Sequence, residues 1–476
     1  MGCATPPAPE PEYAQTAYRV QLAAGSYETG EPATLAVEPK IEGVHGVDFY
    51  VRVAIERNPE ILAAQRRVAA QAEVIPQATA LDDPVLADFF QPITDNSVQT
   101  AAGRGPNTLS LSQRFPWFGK LRVRGEVAEQ ETRIALTRLA QAQLKVVEDV
   151  HFAYYELYFN QHAIAITEED YRLLKDLLKF AEARYRTGQT SQQDVLSAQV
   201  ELETLKDRLI VLHRQHRQAQ ADLASLLHTS TESNLRADDV KRISAPEEID
   251  RLYEAATRCR PELQERLHAI VRNQRAEELA RLQYYPDVTL GAGWQEITTG
   301  SALSRVANGN DNFAFGVGVN LPIWRDKLRA GVSEAEHRVV ASARRYDATR
   351  DDTYRQIKRL MVQIRALEQQ ITLFRDSIIP KSSQTLRVST ADYRVGKVDF
   401  QQIIDNWSDL LTFQIQLARL RATLGQSMAS LERVVGCQLA TLPEPRGGAG
   451  QRKPLTTPPK PAAPSPNKAT KPAPQG

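Results

Sequence analysis

Cysteine, histidine and carboxylate are the side chains that bind metals or carry nucleophilic and acid–base chemistry, and in this chain they do not converge. The three cysteines, Cys3, Cys259 and Cys437, are widely spaced and form no CxxC pair, so neither a zinc site nor a dithiol redox motif is spelled out. Eight histidines are present, and none stands in a HExxH or HxH arrangement. His213 and His216 come nearest to sharing a metal on one helix face, but polar residues on a long helix are the simpler reading. No glycine-rich phosphate loop and no nucleophile elbow occurs. With 59 Lys+Arg against 58 Asp+Glu, no bulk field draws nucleic acid or an anionic membrane face. Enzyme chemistry, cofactors and metal centres are therefore not expected, and the chain has to be read for its architecture.

No run of eighteen apolar residues exists, so a spanning helix is excluded and any membrane crossing falls to strands. Met1-Gly2-Cys3 and the proline-rich stretch after it look like the start of a bacterial lipoprotein, in which Cys3 is the lipidation site and its acyl chains add anchorage. Residues 1–47 are read as an N-terminal extension carrying that candidate anchor. Residues 439–476, rich in proline and lysine and almost without large apolar side chains, read as a disordered tail.

Between these ends the sequence is written twice. Asn58-Pro59-Glu60-Ile61 opens a segment that ends near Asp83-Pro84-Val85, and Arg260-Pro261-Glu262-Leu263 opens another ending at Tyr285-Pro286-Asp287-Val288, at an offset of 202. Phe115-Pro116-Trp117-Phe118-Gly119-Lys120-Leu121-Arg122 is echoed by Leu321-Pro322-Ile323-Trp324-Arg325-Asp326-Lys327-Leu328-Arg329, and Tyr185-Arg186-Thr187-Gly188 by Tyr393-Arg394-Val395-Gly396. The first repeat is placed at 48–245, with a helix, a strand pair at 84–116 and a coiled-coil hairpin at 120–228. The second is placed at 246–438, with a strand pair at 286–322 and a hairpin at 327–436.

Asn58 supplies a cap, Pro59 a first-turn φ and Glu60 a negative charge at the positive end of a helix. No proline lies between Pro116 and Pro246, so the segment from Leu121 to Thr187 reads as one helix of roughly 100 Å at 1.5 Å per residue. The returning helix carries a heptad through Val195, Ala198, Leu202, Leu205, Leu209, Leu212, His216, Ala219, Leu223 and Leu226. Its counterpart runs through Ile403, Asn406, Leu410, Phe413, Leu417, Leu420, Leu424, Ser427, Leu431 and Val434. A 3.5-residue seam predicts left-handed supercoiling against the preceding helix. Pro380, present in the second hairpin alone, should kink that helix or interrupt its hydrogen bonding.

Two segments ahead of each hairpin alternate like strands. Val288, Leu290, Ala292 and Trp294 alternate with small or polar residues, as do Phe313, Phe315, Val317 and Val319; Leu109, Leu111 and Phe115 repeat the pattern in the first half, while Val85 to Gln91 is less regular. Phe115, Trp117 and Trp324 stand at strand ends as an aromatic girdle does. Four strands leave two bare edges and cannot close a barrel in lipid, so copies must associate.

The duplicated order of elements, the Asn58-Pro59-Glu60 start, the Phe115-Pro116-Trp117-Phe118-Gly119-Lys120 link and the paired Tyr-Arg-x-Gly turns resemble TolC-family outer membrane efflux proteins over about residues 48–438. The link looks most like the branch serving heavy-metal and related resistance-nodulation-division pumps. The resemblance implies a mainly α fold with a β-barrel part, a trimer with four strands per protomer. It also implies a passive duct from the outer membrane into the periplasm, docked to a periplasmic adaptor and, through it, to an inner-membrane pump delivering metal cations or drugs. Adaptor contact falls by the same resemblance on the tips, at Thr187, Gly188, Gln189, Val395 and Gly396. The pore constriction falls on Gln402 and Asp405, where three symmetry-related carboxylates would repel one another and attract cations. Asp194 matches an acidic latch residue; its usual basic partner position is Val398 here, which leaves Lys397 or Arg394 in that role. A soluble coiled-coil scaffold and the adaptor itself are the competing readings.

Overall fold

The computed structural model describes residues 9–29, 40–90, 99–100, 103–238, 248–298, 310–437 and 439. Cys3, with its expected lipidation, and residues 440–476 of the expected tail lie outside them. In chain order the first half holds α1 (Pro11–Thr29), β1 (Gly43–His45), α2 (Val47–Arg57), α3 (Pro59–Ala72), α4 (Val74–Thr79), β2 (Val85–Phe90), β3 (Gln99–Thr100), β4 (Gly103–Phe115), α5 (Lys120–Arg186), α6 (Gln192–Leu226) and β5 (Leu235–Ala237). The second half holds α7 (Ile249–Cys259), α8 (Pro261–Leu282), β6 (Val288–Thr298), β7 (Asn312–Val319), α9 (Arg325–Leu373), a π-turn (Phe374–Ile378), α10 (Ile379–Arg394) and α11 (Phe400–Val435). The chain is mainly helical, with a small sheet.

At 67 residues α5 is one unbroken helix, and in a folded protein most of a helix's stability comes from partners packed along it. It finds them in α6, α8, α11 and α3. Along α6 the heptad residues Ala198, Leu202, Leu205, Leu212, Ala219 and Leu223 are buried, as a seam against the helix before the turn requires. Asn58 accepts from the Glu60 amide at 2.9 Å, and its Nδ2 donates to the Leu226 carbonyl at 3.0 Å. One side chain thus caps the start of α3 and satisfies the end of α6.

In the second hairpin α11 buries two stripes. Ile403, Leu410, Leu420 and Leu431 follow the heptad register, while Phe400, Ile404, Trp407, Leu411, Ile415, Ala418 and Ala422 form a second buried face. That face meets α5. Gly425 marks the closest approach, because a Cβ there would sit 2.3 Å from the Tyr155 ring. Arg419 grips Glu156 with both nitrogens at 2.6 and 3.2 Å, and Arg433 pairs with Glu148 at 2.5 Å, lacing the same two helices together. Pro380 stands in the first turn of α10 directly after the π-turn, where the Ile379 amide reaches back to the Phe374 carbonyl. The hydrogen-bond ladder widens by one residue ahead of the ring that would have clashed with it.

The sheet runs β2-β4-β6-β7, antiparallel throughout, and β3 pairs with the far end of β4. Five strands are therefore assigned where alternation reads four, β3 being a two-residue hook. A parallel pair of β1 with β5, each only three residues long, lies outside this sheet and was not legible in the sequence. Registers place Leu86, Leu111, Ala292 and Phe315 in one row, with Leu109, Trp294 and Phe313 in the next. The opposite face carries Ser110, Ser112, Gly291, Gly293, Gly316 and Gly318 in its rows. Phe313, Phe315 and Val317 are 75%, 89% and 72% exposed, so the chain by itself leaves its apolar face uncovered. Within the described residues the sheet does not close: β2 pairs only with β4, and β7 only with β6.

Sheet and helices meet at a buried ion cluster. Lys120, at the first position of α5, is 1% exposed and donates to Asp287 at 2.7 Å and to the Tyr285 carbonyl at 3.0 Å. Asp287, just before β6, also accepts from Arg114 at 2.5 Å and from the Trp117 amide at 3.0 Å. Burial alone would raise its pKa, but hydrogen bonds from Lys120, Arg114 and the Trp117 amide outweigh that and hold it at about 2. Lys120→Met strands the Asp287 carboxylate without its buried partner and should cost about 3–5 kcal/mol. Thermal melting of the detergent-extracted protein checks this, with partial recovery expected in Lys120→Met combined with Asp287→Asn.

Candidate functional site at the helical tips

Both hairpins reverse through the same backbone motif. After α5 the Gly188 amide donates to the Tyr185 carbonyl at 2.9 Å and the Gln189 amide to the Arg184 carbonyl at 2.9 Å. After α10 the Gly396 amide donates to Tyr393 at 3.0 Å and the Lys397 amide to Asp392 at 2.9 Å. These are paired Schellman closures, and Gly188 and Gly396 hold φ of +70° and +76°. Nothing lies within 4 Å of a Cβ built on either, so backbone conformation and not space requires glycine. Thr187, Gly188, Gln189, Val395, Gly396 and Lys397 are all exposed.

The latch expected between Asp194 and Lys397 or Arg394 is not what the structure brings together. Among the described residues no ion pair joins Asp194 to either, and both basic side chains are exposed. Asp194 lies in the first turn of α6, where capping claims it: its amide donates to Ser191 Oγ, and its carboxylate accepts from Ser191 Oγ at 2.9 Å and from Thr190. Thr190 Oγ1 then contacts the Tyr393 hydroxyl at 3.2 Å. Tyr393 is the residue the tips share. Arg184 donates to its carbonyl at 2.6 Å and stacks 4.7 Å above its ring, and Phe400 packs beside it at 5.6 Å. Sequence reasoning missed this tie because its members lie more than 200 positions apart.

Asp405 and Gln402 sit on the exposed face of α11, opposite its buried stripes. Gln401 donates to the Asp405 carboxylate at 2.8 Å, and Gln402 to Asn406 at 3.2 Å. Asp409, Thr412 and Gln416 continue the same exposed stripe. Asp409 is a second carboxylate one turn on, and the i, i+4 spacing from Asp405 is the signal that could have found it. The histidine pair does not converge on a shared ligand: His213 is exposed, while His216 lies in the α6 seam with its pKa lowered by burial first and then by His213 and Arg236.

Farther from the tips, Trp407 Nε1 donates to Asp170 Oδ1 at 3.2 Å across the contact of α11 with α5. Oδ2 of Asp170 is buried without a partner. Burial chiefly, with Glu169 adding and Trp407 opposing, raises the Asp170 pKa to about 6. A raised carboxylate pKa means that the folded state holds the proton more tightly, so burial of Asp170 costs the fold less as pH falls from about 6 towards the ordinary value of 3.8. Relative to Asp170→Asn, the wild-type protein should gain thermal stability between pH 7 and pH 4, as parallel melting curves across that range would show.

The Outer membrane efflux protein family model matches residues 51–228 and 252–437 of the chain. Nodulation protein T of Rhizobium leguminosarum bv. trifolii is 21% identical over 413 residues, 81% of this chain and 84% of that protein. The cobalt-zinc-cadmium resistance protein CzcC of Cupriavidus metallidurans is 20% identical over 87% of this chain and 96% of its own. In structure the chain resembles the outer membrane protein VceC of Vibrio cholerae, with a TM-score of 0.68 at 19% identity, covering 82% of this chain and 96% of that one. Neither the soluble-scaffold nor the adaptor reading survives these matches.

Proposed function

This chain belongs to the outer membrane efflux protein family, and from that membership we propose that three copies form one continuous duct. The chain is a subunit of an outer membrane efflux channel that extends into the periplasm. The observation that supports association is the sheet: β2 and β7 are bare edges, and lipid tolerates unpaired strand edges only where neighbouring copies supply the missing pairs, the number three coming from the family resemblance. Joined edge to edge, the sheets turn Phe313, Phe315 and Val317 to lipid and the Ser/Gly rows to water.

The duct performs no chemistry; an inner-membrane resistance-nodulation-division pump supplies the free energy. The exposed turns at Thr187, Gly188, Gln189, Val395 and Gly396 meet the helical hairpin of a periplasmic adaptor. The exposed stripe of α11 lines the lumen, and Asp405 with Gln402 forms the constriction, so three Asp405 carboxylates favour cations there. Metal cations are the cargo this ring suits best, in line with the resistance named for CzcC; drugs are the alternative. Acyl chains on Cys3 add an anchor in the outer membrane.

Detergent extraction from the outer membrane should yield three-copy complexes that conduct in planar bilayers. Asp405→Asn should lower cation preference by about fivefold, the Boltzmann weight of the roughly 1 kcal/mol that two unit charges exchange at 4 Å in water. A soluble monomer would contradict the duct, and unchanged selectivity would remove Asp405 from its constriction.

A further inference from the structure

Two of the cysteines, near opposite ends of the second repeat, meet in the fold. Cys259 ends α7, and Cys437 follows Gly436, the residue that closes α11. A Cβ at Gly436 would lie 2.8 Å from the Cys259 carbonyl oxygen and 2.6 Å from the Arg260 Cα, so the end of α11 is pressed onto the corner between α7 and α8. One residue on, the Cys437 thiol lies beside that of Cys259, both being half-buried and unbridged. Cys437 packs on the small core of Leu252, Ala256, Ile357, Met361, Leu431 and Val435 that holds α7, α9 and α11 together.

We propose that Cys259 and Cys437 form a structural disulfide that closes the second repeat into a covalent ring. The inference rests on these helices standing in the periplasm, an oxidising compartment where apposed thiols are bridged. The required oxidant is a protein carrying a reactive disulfide. A thiolate of the folding chain attacks one sulfur of that disulfide and expels the other; the second cysteine then attacks the mixed disulfide. The Cys259–Cys437 bond forms, and the oxidant leaves as a dithiol with the two electrons and two protons. Burial, and then the neighbouring Cys259, push the Cys437 thiol up to about 12. Once docked, the Cys437 thiol therefore offers almost no thiolate at neutral pH, which suits a bond made while the chain folds and kept thereafter. Mechanically, the bond fastens the root of the α9–α11 hairpin and leaves its tip free to move.

The test uses the full chain in its own outer membrane, with thiols blocked by acid-quenched alkylation before lysis and peptides mapped by mass spectrometry without reductant. A Cys259–Cys437 linked peptide, lighter by two hydrogens than its parts and absent after reduction, is expected. The same reduction should lower the melting temperature of the wild-type protein and leave Cys259→Ser/Cys437→Ser unmoved. Alkylated thiols at both positions in outer-membrane material would overturn the disulfide and leave the channel reading standing. So would a bridge of either residue to Cys3. Recovery outside the outer membrane with free thiols would overturn both.

Discussion

Unpaired backbone amides and carbonyls cannot be left in lipid, where each costs several kcal/mol. That constraint organises this protein. The sheet of one protomer ends in β2 on one side and β7 on the other, and both present their free edges beside rows of exposed Phe, Leu and Val. Such a surface is a liability in water and an incomplete barrel in a membrane. In the proposed assembly, neighbouring copies pair these edges and lipid covers the apolar face.

Transmission between the two parts runs through few groups. At the foot of the sheet Lys120 and Arg114 converge on Asp287, so the first repeat supplies the cations and the second the anion. A buried pair of this kind is poor value as stabilisation compared with apolar packing, but it specifies one geometry, and here it sets the direction in which α5 leaves the sheet. From that point α5 is held by α11 through Gly425 against Tyr155, Arg419 on Glu156 and Trp407 on Asp170. The two hairpins meet again at the tips on Tyr393. Separating the two tips of one chain would break the Tyr393 contacts.

What could be read from the chain depended on range. Seam residues such as Leu202 and Leu223 repeat every three or four positions, so the first hairpin was legible from spacing alone, and alternation around Leu290 and Val317 exposed the strands in the same way. The second stripe of α11 was hidden, because Phe400, Ile404, Trp407 and Leu411 overlap the heptad phase and resemble a wider seam. Lys120 stood out as part of a repeated motif, yet nothing local says that its partner is Asp287, 167 positions away. Asp194 was singled out by resemblance, but the local competition of capping by Ser191 and Thr190 decides where its carboxylate goes. Pro380 was legible as a break in helical hydrogen bonding; that the break takes the form of a π-turn, with the Ile379 amide reaching the Phe374 carbonyl, was not.

Hydrogen–deuterium exchange of the detergent-extracted assembly, resolved to the strands, tests the central claim most directly. Amides of Val85–Phe90 and Asn312–Val319 should be as protected as those of the inner strands β4 and β6, because each edge is paired to a neighbouring copy. Fast exchange confined to those two segments, with β4 and β6 still protected, would mean the edges remain bare and would contradict the account.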